Sequence, residues 1–240
     1  MPEETERMEN DCKNEVLTVA ALFRDPDTSL AYRWLEGFRY PWEALAALPE
    51  YIRELGNALP TEEYDRIGED IWVAKNAAVA PTASLHGPLI VCSGAEIRHC
   101  AFIRGSAIVG KGAVVGNSTE LKNCILFDGV QVPHYNYVGD SVLGYKAHMG
   151  AGAVTSNVKS DKTPVTVNVD GVRVKTGRKK FGAMLGDFAE IGCGSVLNPG
   201  TVIGHDSNVY PLSSVRGYVP AESIFKSQDR IVKKRKVSER

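Results

Sequence analysis

Two cations and one histidine are the residues of this sequence whose types and spacing could support chemistry. Arg104 and Lys122 are separated by three six-residue periods, and His134 follows two such periods later. A pair of neighbouring cations attracts an anionic group such as a phosphate, since arginine offers a fork of donors and lysine a point charge. A neutral imidazole is suited to remove a proton near pH 7, and Glu120 could orient it. The alternative is two solvated cations and a packed or surface histidine.

The element that would bring Arg104 and Lys122 together is a hexad ladder, in which an apolar residue recurs every six positions. Its members are Ile67, Val73, Val79, Leu85, Val91, Ile97, Ile103, Val109, Val115, Leu121 and Phe127, and then Leu185, Ile191, Leu197, Ile203, Val209 and Val215. A fixed short period over this length predicts stacked repeats. A glycine or another small residue often follows the apolar one, which is typical of a tight corner.

Three hexads make one coil with three faces. Arg104 and Lys122 each follow an apolar position directly, so they would stack on successive coils. Adjacent coils lie about 4.8 Å apart, and about seven of them would form a prism roughly 30–35 Å tall. The sequence therefore predicts a mainly β protein, a parallel β-helix of hexapeptide repeats over residues 67–219.

The hexad ladder is interrupted twice. The step from Val138 to Leu143 is one position short of a hexad, which shortens one corner next to His134. After Asn157 the repeat stops, and the inserted loop 158–184 alternates apolar and polar residues on both sides of Asp170-Gly171. This pattern predicts an extruded β-hairpin. Loops that interrupt a regular scaffold often carry binding residues, so we expect a functional site near these interruptions.

The segments that flank the β-helix have a different composition. Apolar spacing in residues 1–66 predicts helices from Cys12 to about Arg24, from Asp27 or Thr28, and from Pro41 to near Gly56. We expect this segment to be an N-terminal helical cap, because a stack of repeats has open ends, with partner or substrate binding as the alternative. Residues 220–240 are predicted to form a C-terminal arm and a basic tail.

The overall composition excludes several classes of partner. Charged residues make up 24% of the chain and the net charge is −1, so we expect neither a nucleic-acid nor a membrane partner. The five cysteines show no metal-type pairing, which indicates reduced thiols and no bound metal. The N-terminus does not look like a signal peptide, and we expect a cytoplasmic protein.

Three segments carry a family resemblance. They are Gly112–Lys122, His134–Asp140 and Met149–Asn157. They resemble the acetyltransferase half of the bifunctional glucosamine-1-phosphate N-acetyltransferase/UDP-N-acetylglucosamine pyrophosphorylase family, while Thr176–Asp187 looks like archaeal sugar-1-phosphate nucleotidylyltransferases. The resemblance implies a left-handed β-helix, a homotrimer, and acetyl transfer from acetyl-CoA to an amino-sugar 1-phosphate such as glucosamine 1-phosphate. The segment before the hexad ladder is too short for a nucleotidyltransferase domain, so we expect no pyrophosphorylase domain here.

The same resemblance implies roles for individual residues. His134 would be the general base, supported by Glu120. The predicted substrate-binding residues are Arg104, Lys122, Tyr137 and His148, and those predicted to line the acetyl-CoA cleft are Ala151, Asn157, Cys193 and Pro211. Gln228 stands where the family places a basic residue against the phosphates of coenzyme A, and the candidate replacements are Lys226, Arg230 and Arg178.

Two other functions are compatible with a hexapeptide repeat. The first is a non-catalytic trimeric sensor or scaffold that binds a sugar nucleotide, which binding without turnover would favour. The second is a zinc carbonic anhydrase, which needs three histidines at a subunit interface, two of them close in sequence. The closest candidate pairs are His86/His99 and His134/His148, and more than two hexads separate the members of each pair.

Overall fold

The computed structural model describes residues 14–235, in which a parallel β-helix is flanked by short helices. Cys12, where the first helix was predicted to begin, lies outside the described residues. The helical segment consists of 3₁₀ turns at Glu15–Leu17 and Pro26–Thr28 and helices α1 (Val19–Leu22), α2 (Tyr32–Leu35), α3 (Pro41–Ala44) and α4 (Leu48–Ala58). Pro41 begins a helix as predicted. The predicted helix from Pro41 to near Gly56 is divided into α3 and α4, and α4 ends at Ala58. Gly56 itself lies within α4, where a Cβ would approach the Trp72 ring to 2.3 Å.

The strands of residues 64–233 are short and closely spaced. In chain order they are β1 (Tyr64–Gly68), β2 (Ile71–Ala74), β3 (Ala78–Val79), β4 (Ser84–Leu85), β5 (Leu89–Val91), β6 (Glu96–Ile97), β7 (Phe102–Ile103), β8 (Ala107–Val109), β9 (Val114–Asn117), β10 (Glu120–Leu126), β11 (Gln131–His134), β12 (Tyr137–Leu143), β13 (His148–Met149), β14 (Val154–Thr155), β15 (Thr166–Val169), β16 (Val172–Lys175), β17 (Ala183–Leu185), β18 (Glu190–Ile191), β19 (Val196–Leu197), β20 (Thr201–Ile203), β21 (Asn208–Val209), β22 (Ser214–Val215), β23 (Tyr218–Val219), β24 (Ser223–Ser227) and β25 (Arg230–Lys233).

The parallel strands form three faces. Face 1 contains β3, β6, β9, β11, β13, β18, β21 and β24. Face 2 contains β4, β7, the first halves of β10 and β12, β14, β19 and β22; face 3 contains β2, β5, β8, the second halves of β10 and β12, β17, β20 and β23. The first and last coils end in antiparallel pairs, β1 with β2 and β24 with β25. These pairs complete the open edges of the stack.

The pairing register confirms the predicted coil of three hexads and corrects one position. Val73 pairs with Val91 and Val91 with Val109, each three hexads on, but Val109 then pairs with Leu126 and not with Phe127. The prediction that Phe127 continues the inward row was therefore wrong by one position. Phe127 packs outward against Phe23, with ring centroids 4.7 Å apart.

Two consecutive coils are shortened, not one. The steps from Leu121 to Leu126 and from Val138 to Leu143 are both one position short of a hexad, and they pair with each other. Their tight corners place Asn123 and Asp140 at φ 50° and 49°, in the left-handed region that asparagine and aspartate tolerate. The Asn123 amide also donates to Asp140 Oδ1 at 2.8 Å, which fixes the two corners to each other.

Small residues after the apolar positions are required by the close approach of neighbouring coils. A Cβ at Gly116 would lie 1.6 Å from the Pro133 carbonyl oxygen, and one at Gly192 would lie 2.4 Å from Pro211 N. Any larger residue there would push the next coil away, as the sequence pattern predicted.

The predicted helical cap packs along the side of the β-helix, over face 3 and its corner with face 1. Trp42 packs against Phe181 at a centroid distance of 5.4 Å. Asp187 N donates to the Leu22 carbonyl at 3.1 Å, and Arg24 Nη2 contacts Asp206 Oδ2 at 2.9 Å. Strand β1 already pairs with the first coil, so the helices do not cap that end of the stack. They cover the apolar outer side of face 3. No helix within residues 14–235 is long and apolar enough to cross a membrane.

The predicted hairpin is present and folds back onto the β-helix. Strands β15 and β16 pair antiparallel around Asp170 and Gly171, which have φ 46° and 85°. Val165 and Val167 are fully buried, so the hairpin is not a free projection. A Cβ at Gly200 would lie 2.6 Å from the Thr166 carbonyl oxygen, which shows how closely the hairpin packs on the corner between faces 2 and 3.

Candidate active site

Arg104 and Lys122 lie on adjacent coils of face 2, as the spacing of three hexads predicted. Arg104 N donates to the Leu121 carbonyl at 2.9 Å, which aligns the two cationic residues across the strand pair. Each cation meets a carboxylate: Arg104 Nη1 lies 2.8 Å from Glu120 Oε1, and Lys122 Nζ lies 3.9 Å from Asp140 Oδ2. The pair keeps exposed donors, because the Arg104 side chain is 45% and the Lys122 side chain 28% exposed.

Asp140 is the centre of a polar network beside these cations. Its side chain is 3% exposed, and its Oδ2 accepts a hydrogen bond from Asn157 Nδ2 at 2.6 Å. The same Asn157 nitrogen lies 3.2 Å from the Tyr137 hydroxyl. A buried carboxylate with amide donors and a cation nearby holds those groups in fixed positions. The network therefore joins Lys122, Tyr137 and Asn157 around Asp140, a residue whose role the sequence alone does not predict.

The electrostatics of this network favour a protonated tyrosine. Burial raises the pKa of the Tyr137 hydroxyl, and the carboxylates of Asp140 and Glu120 raise it further. The hydroxyl stays available to donate at neutral pH. Arg178, from the basic run after the hairpin, also interacts electrostatically with Asp140. Burial lowers the pKa of the Arg178 guanidinium, and the Asp140 carboxylate opposes that shift.

His134 ends β11 at the corner between faces 1 and 2, shortly before Tyr137 begins β12. The corner is held by buried Asn136, whose Oδ1 accepts from His134 N at 3.1 Å and whose Nδ2 donates to the Gly150 and Ala153 carbonyls at 2.9 and 3.0 Å. The His134 side chain is exposed, and its ring makes no hydrogen bond with the other residues of the described range. Glu120, predicted to support this ring, instead accepts from Arg104 within the subunit.

The positions predicted to line the cofactor cleft continue from His134 along the same corner. Gly152 N donates to the His134 carbonyl at 3.0 Å, Gly194 N to that of Ala151 at 2.8 Å, and Leu212 N to that of Cys193 at 2.8 Å. These bonds place the exposed residues His134, Ala151, Cys193 and Pro211 in one column that runs towards the C-terminal coils. Asn157 is not in this column and belongs to the network at Asp140.

His148 lies apart from both groups. It begins β13 on face 1, and its Nδ1 lies 2.8 Å from Glu190 Oε2 on the next coil. Contact with a bound sugar from this position would need a ligand, or a second subunit, that reaches across face 1. Among residues 14–235 there is no group of three or more His, Cys, Asp or Glu side chains placed to hold a metal ion.

Comparison with known proteins identifies similar sequences and structures. The family described as the GMPPB C-terminal domain matches residues 85–180. The "Bifunctional protein GlmU" of Methanococcus vannielii is 37% identical over 136 residues, which cover 56% of this chain and 33% of that protein. The chain is a hexapeptide-repeat β-helix protein similar to GlmU. A "Bifunctional sugar-1-phosphate nucleotidylyltransferase/acetyltransferase" of Sulfurisphaera tokodaii is 34% identical over 126 residues, which cover 52% of this chain and 31% of that protein.

This hexapeptide-repeat protein matches about a third of the length of these two curated relatives. Among solved structures, the acetyltransferase domain of PglB from Neisseria gonorrhoeae, in complex with acetyl coenzyme A, is 16% identical and has a TM-score of 0.32. That match covers 68% of this chain and 57% of the other. Within the hexapeptide-repeat protein, the residues predicted from sequence thus form two adjacent groups, the network on face 2 and the column that begins at His134, with His148 outside both.

Proposed function

We propose that this protein is an acetyl-CoA-dependent N-acetyltransferase that acts on an amino-sugar 1-phosphate such as glucosamine 1-phosphate. The observation that carries the proposal is the pair Arg104 and Lys122 on adjacent coils, next to the corner that presents the exposed His134 ring. The names of the relatives, which include a sugar-1-phosphate nucleotidylyltransferase/acetyltransferase, support the same class of reaction.

In this mechanism the polar network on face 2 binds the sugar phosphate. Arg104 and Lys122 donate to the phosphate oxygens, and charge-assisted bonds of this kind are stronger than neutral ones. Glu120 and Asp140 position the two cations from their other sides, at 2.8 and 3.9 Å. The Tyr137 hydroxyl, kept protonated by its raised pKa, supplies a further donor.

His134 is the general base of the proposed reaction. A neutral imidazole takes a proton from the sugar amine, and the amine nitrogen attacks the thioester carbonyl of acetyl-CoA. A C–N bond forms, the C–S bond breaks, and the leaving coenzyme A thiolate receives the proton held by the His134 imidazolium, which returns the imidazole to its neutral form. The column Ala151, Cys193 and Pro211 would lie beside the acyl donor and hold the thioester near the amine.

The proposed active unit is a homotrimer. Large apolar side chains are exposed beside the same corner and on the C-terminal part of face 2: Tyr135 is 65% exposed, Val196 37% and Leu212 86%. Exposed large apolar side chains on one side of the β-helix are candidates for a subunit contact. A second subunit packed there would cover these side chains and enclose the cleft.

Sedimentation equilibrium should give about three times the chain mass of 26.1 kDa. Val196→Glu should shift that mass towards the monomer, whereas a monomeric wild-type protein would contradict the trimer.

The direct test of the proposed reaction is substitution of His134. His134→Ala should lower kcat for acetylation of glucosamine 1-phosphate by roughly 100-fold or more, the usual contribution of a general base. The KM values should change little, because His134 holds no part of the network. The measurement is release of free coenzyme A thiol with a panel of hexosamine 1-phosphates.

His99→Ala is the matched control for this test. His99 lies in the same corner column two coils earlier, and its ring lies 2.6 Å from Thr82 Oγ1. It should keep wild-type turnover. Unchanged activity in His134→Ala would refute the role of His134. Binding of a sugar nucleotide with no turnover of any hexosamine phosphate would instead identify the non-catalytic sensor.

A further inference from the structure

A second group of basic side chains surrounds a cavity at the C-terminal end of face 2. The cavity has a volume of about 240 Å³ and lies between the hairpin β15–β16 and the coil of β22. Its lining includes Lys159, Arg173 and Arg216, together with Thr166 and Asn168. None of these residues belongs to the network at Asp140 or to the column that begins at His134.

The charges around this cavity are only partly neutralised. Lys159 Nζ lies 3.2 Å from Asp161 Oδ2 and 2.6 Å from Thr163 Oγ1. Arg173 and Arg216 are exposed and make no ion pair with any residue between 14 and 235. Three cations around one cavity, with one carboxylate paired to Lys159, favour an anion in the cavity. Two guanidinium groups and an ammonium group are the donors that bind phosphate best in proteins.

The position of the cavity connects it to the proposed active site. Ser156 N donates to the Leu197 carbonyl at 2.8 Å and Asn198 N to that of Val215 at 2.9 Å, so one straight column on face 2 runs from Lys122 through Gly139, Ser156 and Asn198 to Arg216. Four strand spacings separate Lys122 from Arg216, about 19 Å. Arg216 also belongs to the same coil as Pro211, and strand β22 of face 2 separates it from the corner where the column from His134 ends.

We propose that the cavity of Lys159, Arg173 and Arg216 binds the phosphate groups at the nucleotide end of coenzyme A. The inference rests on the proposed acetyl transfer. An acyl donor with its thioester beside His134 has a long pantetheine arm that can extend past Ala151 and Cys193 to the C-terminal coils. Its diphosphate and ribose phosphate would then reach the cavity, where the two arginines can donate to an anion.

The basic residues suggested by sequence for this task lie elsewhere. Lys226 Nζ lies 5.5 Å from the centroid of the Tyr210 ring on face 1. Arg178 Nε donates to the Lys180 carbonyl at 3.3 Å. Arg230 is on the terminal strand β25. None of the three lines the cavity, whereas Lys159 and Arg173 come from the inserted segment itself.

Calorimetric titration of the full-length protein tests the inference without turnover. Adenosine 3′,5′-bisphosphate and coenzyme A should each lose about tenfold in affinity in Arg173→Ala and in Arg216→Ala, as expected for one charge-assisted contact. Lys226→Ala is the matched control and should bind both ligands as the wild type does. Affinity for glucosamine 1-phosphate should not change in any of these variants. Circular dichroism and thermal midpoints of all variants should match the wild type, because both arginines are exposed.

Several outcomes would overturn the inference. Unchanged affinity for coenzyme A in Arg173→Ala and Arg216→Ala would do so, and so would a loss in Lys226→Ala alone. A loss of affinity for UDP-N-acetylglucosamine with none for coenzyme A would assign the cavity to a sugar nucleotide. Binding of coenzyme A that depends on the two arginines, without acetyl transfer to any hexosamine phosphate, would refute the proposed function and leave this cavity a coenzyme A site. Acetyl transfer with a normal KM for acetyl-CoA in both variants would refute only the inference.

Discussion

Faces 3 and 2 of the β-helix are built from the same repeat and differ in what covers them. On face 3 every residue of β5, β8, β17 and β20 is buried, and helix α4 packs over β5 and β8. On face 2 the inward residue is buried and its neighbour is open to solvent, as with Ile103 and Phe102, or Leu197 and Val196. On both faces the inward-facing residues form the core of the β-helix. The outer row is structural on face 3 and available for ligands or subunits on face 2.

The largest expected effect of this difference is on stability. Phe127→Ala removes a fully buried ring that contacts Phe23 and should lower the free energy of unfolding by about 3–5 kcal/mol. Phe102→Ala removes a ring of the same type from open face 2 and should cost less than about 1 kcal/mol. Denaturant unfolding of both variants measures the contrast. Equal losses would show that the outer side of face 2 is also buried in the assembled protein.

A second contrast lies within the polar network. Asp140→Ala leaves the amides of Asn123 and Asn157 without their acceptor, and it should lower stability by about 1–3 kcal/mol. Glu120→Ala removes an exposed ion pair with Arg104 and should cost less than about 1 kcal/mol. It should instead raise the KM for the sugar phosphate, because Arg104 loses its positioning contact. Thermal unfolding and steady-state kinetics of the two variants separate these effects. The reverse order of stabilities would contradict the central position of Asp140.

The smallest expected effect is a dependence of stability on pH at the covered corner. Asp128 lies where the helical segment meets the β-helix, and its backbone N donates to the Thr28 carbonyl at 2.9 Å. Burial raises the pKa of its carboxyl above the ordinary value, against the opposing bond from Lys111 N. Protonation is therefore favoured in the folded state. The contribution of the protonated Asp128 carboxyl to the free energy of unfolding is therefore full below the ordinary pKa of about 4. It is lost as pH rises through the folded-state pKa.

Asp128→Asn cannot ionise, so its stability relative to the wild type should increase between pH 3.5 and pH 7. Denaturant unfolding across that range measures the difference. Glu96→Gln is the control, because Glu96 makes an exposed ion pair with Arg98 on face 1 and should show no such increase. A difference that falls as pH rises would mean that the Asp128 carboxylate is stabilised by its surroundings.

The parts of the fold that sequence predicted well are those fixed by period and by turn chemistry. The coil of three hexads placed Arg104 beside Lys122, and Asp170-Gly171 marked the hairpin turn. The assignment of Phe127 failed because Leu126 is equally apolar, and the shortened step depends on the left-handed corner at Asn123, which is visible only in the folded chain. The sequence also distinguishes the covered face: residues 89–91, 107–109 and 124–126 are each apolar throughout, whereas residues 84–85, 120–122 and 214–215 of face 2 each hold a single apolar residue.

The candidate site was predicted less completely, for a different physical reason. Periodicity fixes which backbone positions are neighbours, but the partner of a charged side chain depends on its rotamer and on competing acceptors. Glu120 lies between Arg104 and the corner of His134, and it bonds the arginine. The role of Asp140 depends on its burial, and Gly182 N near the end of the inserted loop donates to the Asp140 carbonyl at 2.9 Å. No local sequence pattern brings those two residues together.

The continuity of the strand pairing across the inserted loop has an evolutionary consequence. Leu143 pairs with Leu185 in the same parallel register as Leu185 with Ile203, although the whole insertion lies between the first two and only three hexads separate the second two. Each coil takes its register from the coil beneath it, so the length of chain between two coils is free to vary. A lineage can therefore gain, lose or exchange the inserted segment in one event while the coils around it, including the corner at His134, keep their register.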